Sequence, residues 1–278
     1  MSQQAYKDRI RNFYDIASPV FREFWGEHLH DGFYETGGES KTDAQVSLVR
    51  YLADAAALPR DARGVDVGCG MGATSVWLAK NLGARMTGVT LSPVQVEVAR
   101  ELAAREGVEA EFRLQDAETL GADEPFDFLW MVGVLGHLHD QRAFVEASPR
   151  LLREGGRYVL GDWVASGDLT DGDRRRYVEP VLEGMLMPDI ASVADYQSWF
   201  EKSGYRVLVA RDIAESTRRT WDEGVSIIQA PKILKLAAEV GRDALGLLRA
   251  IRGMRKAMDR GLIGYGVVIA EKLPAHRP

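Results

Sequence analysis

The chain is poor in the residues that build crosslinks and metal cages. A single cysteine, Cys69, stands among 278 residues, which excludes an intramolecular disulfide and any thiolate cage. Only five histidines are present. His28 and His30 lie close together but lack a third ligand at helical spacing, so no metal is expected. Basic charge is in deficit: 35 Lys and Arg against 41 Asp and Glu give −6, which offers little to a phosphate backbone and argues against a nucleic-acid partner. No run of eighteen apolar residues occurs, and the opening stretch from Met1 to Asp15 is polar and charged, unlike a signal peptide. These absences point to a cytoplasmic enzyme without a transmembrane segment. Its hydrophobic content, 46%, suffices for one large domain with a cap.

Against that background the glycines of residues 64–74 stand out. A short apolar run, Val65 to Val67 with Asp66 inside it, breaks into Gly68, Gly70 and Gly72, and Thr74 to Lys80 then reads as a helix. Strand, glycine turn and helix form the first unit of a doubly wound sheet, whose ligands sit beyond the carboxyl ends of the strands. The spacing is G-x-G-x-G rather than the G-x-G-x-x-G of dinucleotide binders. A second strand, Arg85 to Ser92, leads into a helix from Pro93 to Glu106 that Ser92 can cap. An NAD site wants an acid near the end of this strand for the ribose hydroxyls. Thr90 stands there instead, with Gln95 one turn into the helix as a substitute hydrogen-bonding group. A third strand, Ala110 to Leu114, ends in Gln115-Asp116-Ala117, and a fourth runs from Phe126 to Val132. Asp116 lies where such a sheet meets an adenine amino group.

Val65 to Gly72, Gly88 to Gln95, Gln115-Asp116-Ala117 and Phe126-Asp127 together resemble the successive motifs of class I S-adenosylmethionine (SAM) methyltransferases. Thr90-Leu91-Ser92 with Gln95 is similar to the branch holding tocopherol and sterol C-methyltransferases, sarcosine and dimethylglycine enzymes, and cyclopropane synthases. Trp25 to Tyr34 and Gly261 to Gly266 look like the first and last motifs of the tocopherol-type members. The resemblance implies an α/β fold: a Rossmann-like, doubly wound, seven-stranded mixed sheet with a helical cap. It also implies SAM as cofactor and S-adenosylhomocysteine as product. Asp66 and the backbone of Gly68, Gly70 and Gly72 are expected at the methionine end; Tyr14 either turns towards that end or simply packs its helix face, and Val132 is a further expected cofactor contact. Thr90, Leu91 and Gln95 are expected at the ribose, and Asp116 and Ala117 at the adenine. Family members often carry an acid at the position of Gly133 and a histidine at that of His137. Here the acid is absent, which argues against cyclopropane synthesis. His137 is the candidate general base and a cofactor contact, or else it orders its loop through backbone carbonyls.

The organisation expected is a cap or lid over residues 1–60, the SAM-binding core over 61–164, a cap insertion over 165–191, and the rest of the sheet over 192–278 with helices inserted at 218–260. Within the first part, residues 5–24 read as a helix bent at Ser18-Pro19, with Ile10, Phe13, Tyr14 and Ile16 on its apolar face. Residues 25–38 read as part of a lid, and Thr42 to Leu58 as an amphipathic helix. Residues 141–153 read as a helix leading to a fifth strand, Arg157 to Asp162. The sixth and last strands are expected at Tyr205 to Asp212 and Gly264 to Glu271. Trp25, His30, Phe33, Met185 and Met187 are expected to line the acceptor pocket, methionines adapting to irregular shapes. The acceptor is then a lipophilic small molecule, with methylation at C, N or O, and the chain is a possible homo-oligomer. An NAD(P)-dependent Rossmann oxidoreductase and a non-catalytic SAM-binding protein are the alternatives.

Overall fold

The computed structural model describes residues 2–231, 233 and 242–275. The elements over residues 3–165 are α1 (Gln3–Phe24), α2 (Lys41–Ala55), β1 (Arg63–Val67), α3 (Ala73–Leu82), β2 (Arg85–Thr90), α4 (Pro93–Glu106), β3 (Ala110–Leu114), β4 (Phe126–Val132), α5 (Gln141–Ala147) and β5 (Leu152–Ala165). After them come α6 (Asp171–Asp173), a π-helical stretch at Arg174–Val178, α7 (Glu179–Gly184), α8 (Val193–Lys202), β6 (Tyr205–Asp212), α9 (Ala214–Thr217), α10 (Arg219–Ile227), α11 (Arg242–Asp259) and β7 (Ile263–Lys272). A helix expected at Ile233 to Val240 lies almost wholly outside the described residues. Among the described residues, no helix is long and apolar enough to cross a membrane.

The seven strands make one mixed sheet in the order β3-β2-β1-β4-β5-β7-β6. Strands β1 to β5 pair in parallel, and β7 enters antiparallel between β5 and β6. The inner parallel strands β4 and β5 carry apolar side chains on both faces because helices cover both, whereas the edge strand β3 exposes Glu111 and Arg113. On one face Phe128, Trp130, Val159, Tyr265 and Val267 meet Leu48 and Leu52 of α2 and Leu78 of α3. On the other, Leu129, Met131, Tyr158 and Leu160 meet Phe144 of α5 and Tyr196 and Phe200 of α8. Helix α2 thus belongs to the core and not to a cap, since its apolar stripe has the sheet as its partner. A separate cluster, with Val181, Leu182, Trp221, Ile251 and Met254, binds α7, α10 and α11 into a cap.

Three local expectations differ from the structure. Helix α1 runs through Ser18-Pro19 without interruption; the Pro19 ring lies on the exposed side, where a lost ladder bond can be met by water. Ile16 is 53% exposed and leaves the apolar face. The helix expected over 141–153 stops at Ala147, because Pro149 cannot donate to the helical ladder, and β5 starts already at Leu152. Its first residues pair irregularly with β4, the register shifting between Phe126 and Phe128.

Candidate active site

At the carboxyl ends of β1, β2 and β4 the chain encloses a cavity roofed by α1. The turn after β1 shapes one wall. Gly68 (φ +73°) and Gly70 (φ +53°) adopt left-handed conformations that would strain a larger residue, so their backbone lies bare towards the cavity. Gly72 (φ +83°) does not line it. A Cβ there would meet Ala99 at 2.6 Å and Phe112 at 3.0 Å, so its place is the tight packing of α3 on α4 and β3. Cys69 is buried between these contacts, and burial pushes its thiol well above the usual range.

Asp66 is 3% exposed and accepts from Ser75 Oγ at 2.7 Å. Burial raises its carboxyl to about 7, against the pull of the Ser75 bond. Thr90, Leu91 and Gln95 line the next part of the cavity. Thr90 Oγ1 donates to Gln95 Oε1 at 2.7 Å, and Gln95 Nε2 donates to Ser18 Oγ of α1 at 3.2 Å. Ser92, the cap of α4, donates to Asp15 Oδ1 of α1 at 2.5 Å. Asp116 and Ala117 close that end. Asp116 Oδ1 accepts from the Glu118 N–H at 3.0 Å, and Oδ2 accepts from Lys7 Nζ at 2.5 Å. Lys7 also meets Glu118. Helix α1 is thereby latched across the end of the cavity expected to take adenosine.

At the opposite side stands His137, in the turn after β4. Its Nδ1 lies 3.0 Å from the carbonyl of Leu186, which can only accept, so Nδ1 carries the proton. Nε2 is left as an acceptor facing the Tyr14 hydroxyl at 3.2 Å. Burial lowers the imidazole pKa below its ordinary value, opposed by the Leu186 bond, and burial with Asp162 nearby raises Tyr14 to about 12. The pair is therefore neutral at neutral pH, with one proton poised between oxygen and nitrogen. The turn itself is tied down by Asp162, which accepts from the N–H groups of Gly136 at 3.0 Å and Trp163 at 2.8 Å.

Residues 25–38 differ from the lid expected of them. Phe33 N–H donates to the Ala44 carbonyl at 2.7 Å, Tyr34 N–H to that of Ser216 at 2.8 Å, and Gly32 N–H to Thr220 Oγ1 at 2.9 Å. Gln45 Nε2 reaches the His28 carbonyl at 2.7 Å. A segment with its backbone bonded to α2, α9 and α10 is a fixed wall. His28 and His30 sit on that wall, 3.1 Å apart at their ring nitrogens, with Thr74 Oγ1 within 3.4 Å of both. Burial lowers them to about 3 and about 4, so both are neutral.

Tyr14, His30, Asp66, Gly68, Gly70 and Thr90 are thus brought to one cavity, as are Leu91, Gln95, Asp116, Ala117, Val132 and His137. Four residues expected at the acceptor are not. Trp25 packs 6.1 Å from Trp221 with the Lys41 ammonium 4.7 Å over its ring. Phe33 stacks on Tyr51 at 4.5 Å. Met185 and Met187 are buried in the cap cluster against α10 and α11. Each side chain packs on a partner away from the cavity lining, and spacing alone does not say which partner that is. Sequence reasoning missed Asp31, Trp130, Trp163 and Tyr265, which line the cavity, and Lys7, which latches it. Asp31 could have been found, lying within the histidine-bearing motif; nothing local marks the others.

The donor set fits SAM: bared glycine backbone beside a buried carboxyl with no cation bonded to it among the described residues, then hydroxyl and amide groups, then an acid at the adenine end. The comparisons agree. A family profile described as a methyltransferase domain matches residues 65–156. The chain is 31% identical to the chloroplastic enzyme named probable tocopherol O-methyltransferase of Oryza sativa subsp. japonica, over 96% of this chain and 78% of the relative. It is 30% identical to 27-O-demethylrifamycin SV methyltransferase of Amycolatopsis mediterranei, over 95% and 97%. Among solved structures, the mycolic acid cyclopropane synthase CmaA1 complexed with SAH and CTAB superposes with a TM-score of 0.85 at 20% identity, covering 96% of this chain and 98% of that one. The [4+2]-cyclase SpnF gives 0.84 at 24%, covering 96% of each. At such identities these two structures establish the fold.

Proposed function

The chain belongs to the SAM-dependent methyltransferases, and from that premise we propose that it methylates a hydroxyl group on a lipophilic small molecule. The observation that carries the hydroxyl is the neutral His137–Tyr14 pair, lining the same cavity as the glycine turn. SAM, when bound, supplies a methyl group activated by its sulfonium, so the protein's task is to hold, aim and exclude water. Asp66 and the backbone at Gly68 and Gly70 would hold the methionine end, with Val132 beside them. Thr90, Leu91 and Gln95 would hold the ribose, and Asp116 with Ala117 the adenine. As an acceptor oxygen takes the methyl, its proton passes to Tyr14, whose own proton goes to His137 Nε2; the imidazolium later returns it to water.

Two features support a lipophilic acceptor. Apolar groups, including Leu29, Val134 and Leu138, share the cavity with the polar ones. The two relatives above are named for tocopherol and for a rifamycin, both far larger than glycine-sized amines. His30 is the remaining acceptor-side candidate on the wall.

Incubation with SAM and a mixed library of phenolic lipids, polyketides and small amines tests the reading. Extracted products should gain one methylene in mass, with the new group on oxygen and only on lipophilic members. Methylation confined to glycine-like amines would overturn it.

A further inference from the structure

Three polar atoms on the cavity wall are buried without a hydrogen-bond partner among the described residues: Asp31 Oδ1, Trp130 Nε1 and Tyr265 Oη. Their residues are 3%, 1% and 1% exposed, and all three line the cavity. Native folds pair nearly all such groups, so three on one cavity mark the seat of a ligand. The sheet brings them together. Trp130 is the register partner of Asp66 across β4 and β1, and Tyr265 is the partner of Trp163 across β7 and β5. The Trp163 indole donates to Asp31 Oδ2 at 2.7 Å, which fixes the carboxyl and leaves Oδ1 free.

The chemistry of the three atoms is specific. An ionised carboxyl accepts only, an indole N–H donates only, and a phenol does either. A ligand that satisfies them carries a cationic donor and an anionic acceptor close together, which describes an α-amino acid. We propose that Asp31, Trp130 and Tyr265 hold the amino-acid end of SAM, the Asp31 carboxylate taking the ammonium and the Trp130 and Tyr265 donors taking the carboxylate. This rests on the SAM reading above and adds an anchor to Asp66 and the glycine turn.

The electrostatics agree with it. Burial raises the Asp31 carboxyl to about 7; the Trp163 N–H draws it down, Asp162 pushes it up, and Trp221, outside hydrogen-bonding geometry, draws it down weakly. Near that value, ionising it for an arriving ammonium is inexpensive at neutral pH. The neighbouring His28 and His30 are neutral and bring no charge of their own to the wall.

Calorimetry with two ligands separates this from a structural role. S-adenosylhomocysteine has the amino-acid end; 5′-methylthioadenosine shares the nucleoside and thioether but lacks it. Asp31→Asn should weaken S-adenosylhomocysteine by about tenfold or more, and Tyr265→Phe, which removes only the hydroxyl, by about three- to tenfold. Both variants should bind 5′-methylthioadenosine within about twofold of wild type. Equal losses for the two ligands would overturn the proposal, as would unchanged S-adenosylhomocysteine affinity with a raised acceptor KM. A wild-type protein that binds neither ligand would remove the SAM reading itself, and is told apart by that control.

Discussion

Removing α1, residues 1–24, is expected to lower methyl transfer by at least about 10²-fold while leaving a folded protein that still binds S-adenosylhomocysteine weakly. Only Ile10 and Ser18 of this helix are buried, so its loss strips little from the core. Yet its side chains cross the whole cavity. Lys7 holds Asp116, Asp15 holds Ser92, Ser18 holds Gln95, and Tyr14 faces His137. Tyr6 donates to the Leu186 carbonyl at 2.7 Å and lies 3.0 Å from that of His137. A helix fastened by side chains at its rim, with little buried surface, is free to open for ligands and close over them. Closure excludes water from a reaction between a cation and a neutral acceptor. In the intact chain, protease cutting within residues 1–24 should therefore fall once S-adenosylhomocysteine and acceptor are both present. If α1 were instead an oligomer arm, truncation would change the mass in solution first and leave turnover per site intact; full turnover by the truncated protein would end the lid account.

Replacing His137 by alanine should lower kcat by about 10² to 10⁴, with S-adenosylhomocysteine affinity little changed. Tyr14→Phe should reproduce much of the loss, since it breaks the same proton path. The pH profile carries a second signature. Burial depresses the imidazole pKa below 6.5, so the base stays unprotonated as pH falls through that value. The acid limb of kcat should accordingly lie below pH 6.5 in wild type and vanish in His137→Ala. Wild-type kcat in the alanine variant between pH 6 and 9 would take His137 out of the mechanism.

The sheet was legible because its signals are local. Strand-like runs leading to Gly68, Thr90 and Asp116 mark strand ends by themselves, and the cofactor candidates attached to those ends, except Gly72, fall on one cavity. The cap was legible only as apolar content. Met185 and Met187 are spaced as readily for a pocket wall as for a core, and the partner that decides, α11, lies far along the chain. Trp25 and Phe33 were misread for the same reason, their partners Trp221 and Tyr51 being set by tertiary packing. Asp31 and Tyr265 stand near opposite ends of the sequence and meet only because β7 inserts beside β5. The Lys7 latch had no signal, since a lysine on an exposed helix usually faces solvent.

The central claim is that the cleft beyond β1, β2 and β4 is built for SAM and not for a nicotinamide dinucleotide. Titration of the full-length protein with S-adenosylhomocysteine and, separately, NADH tests it most directly. S-adenosylhomocysteine should bind in the micromolar range, about −8 kcal/mol, with NADH giving no saturable heat. Tight binding of NADH with none of S-adenosylhomocysteine would contradict the account.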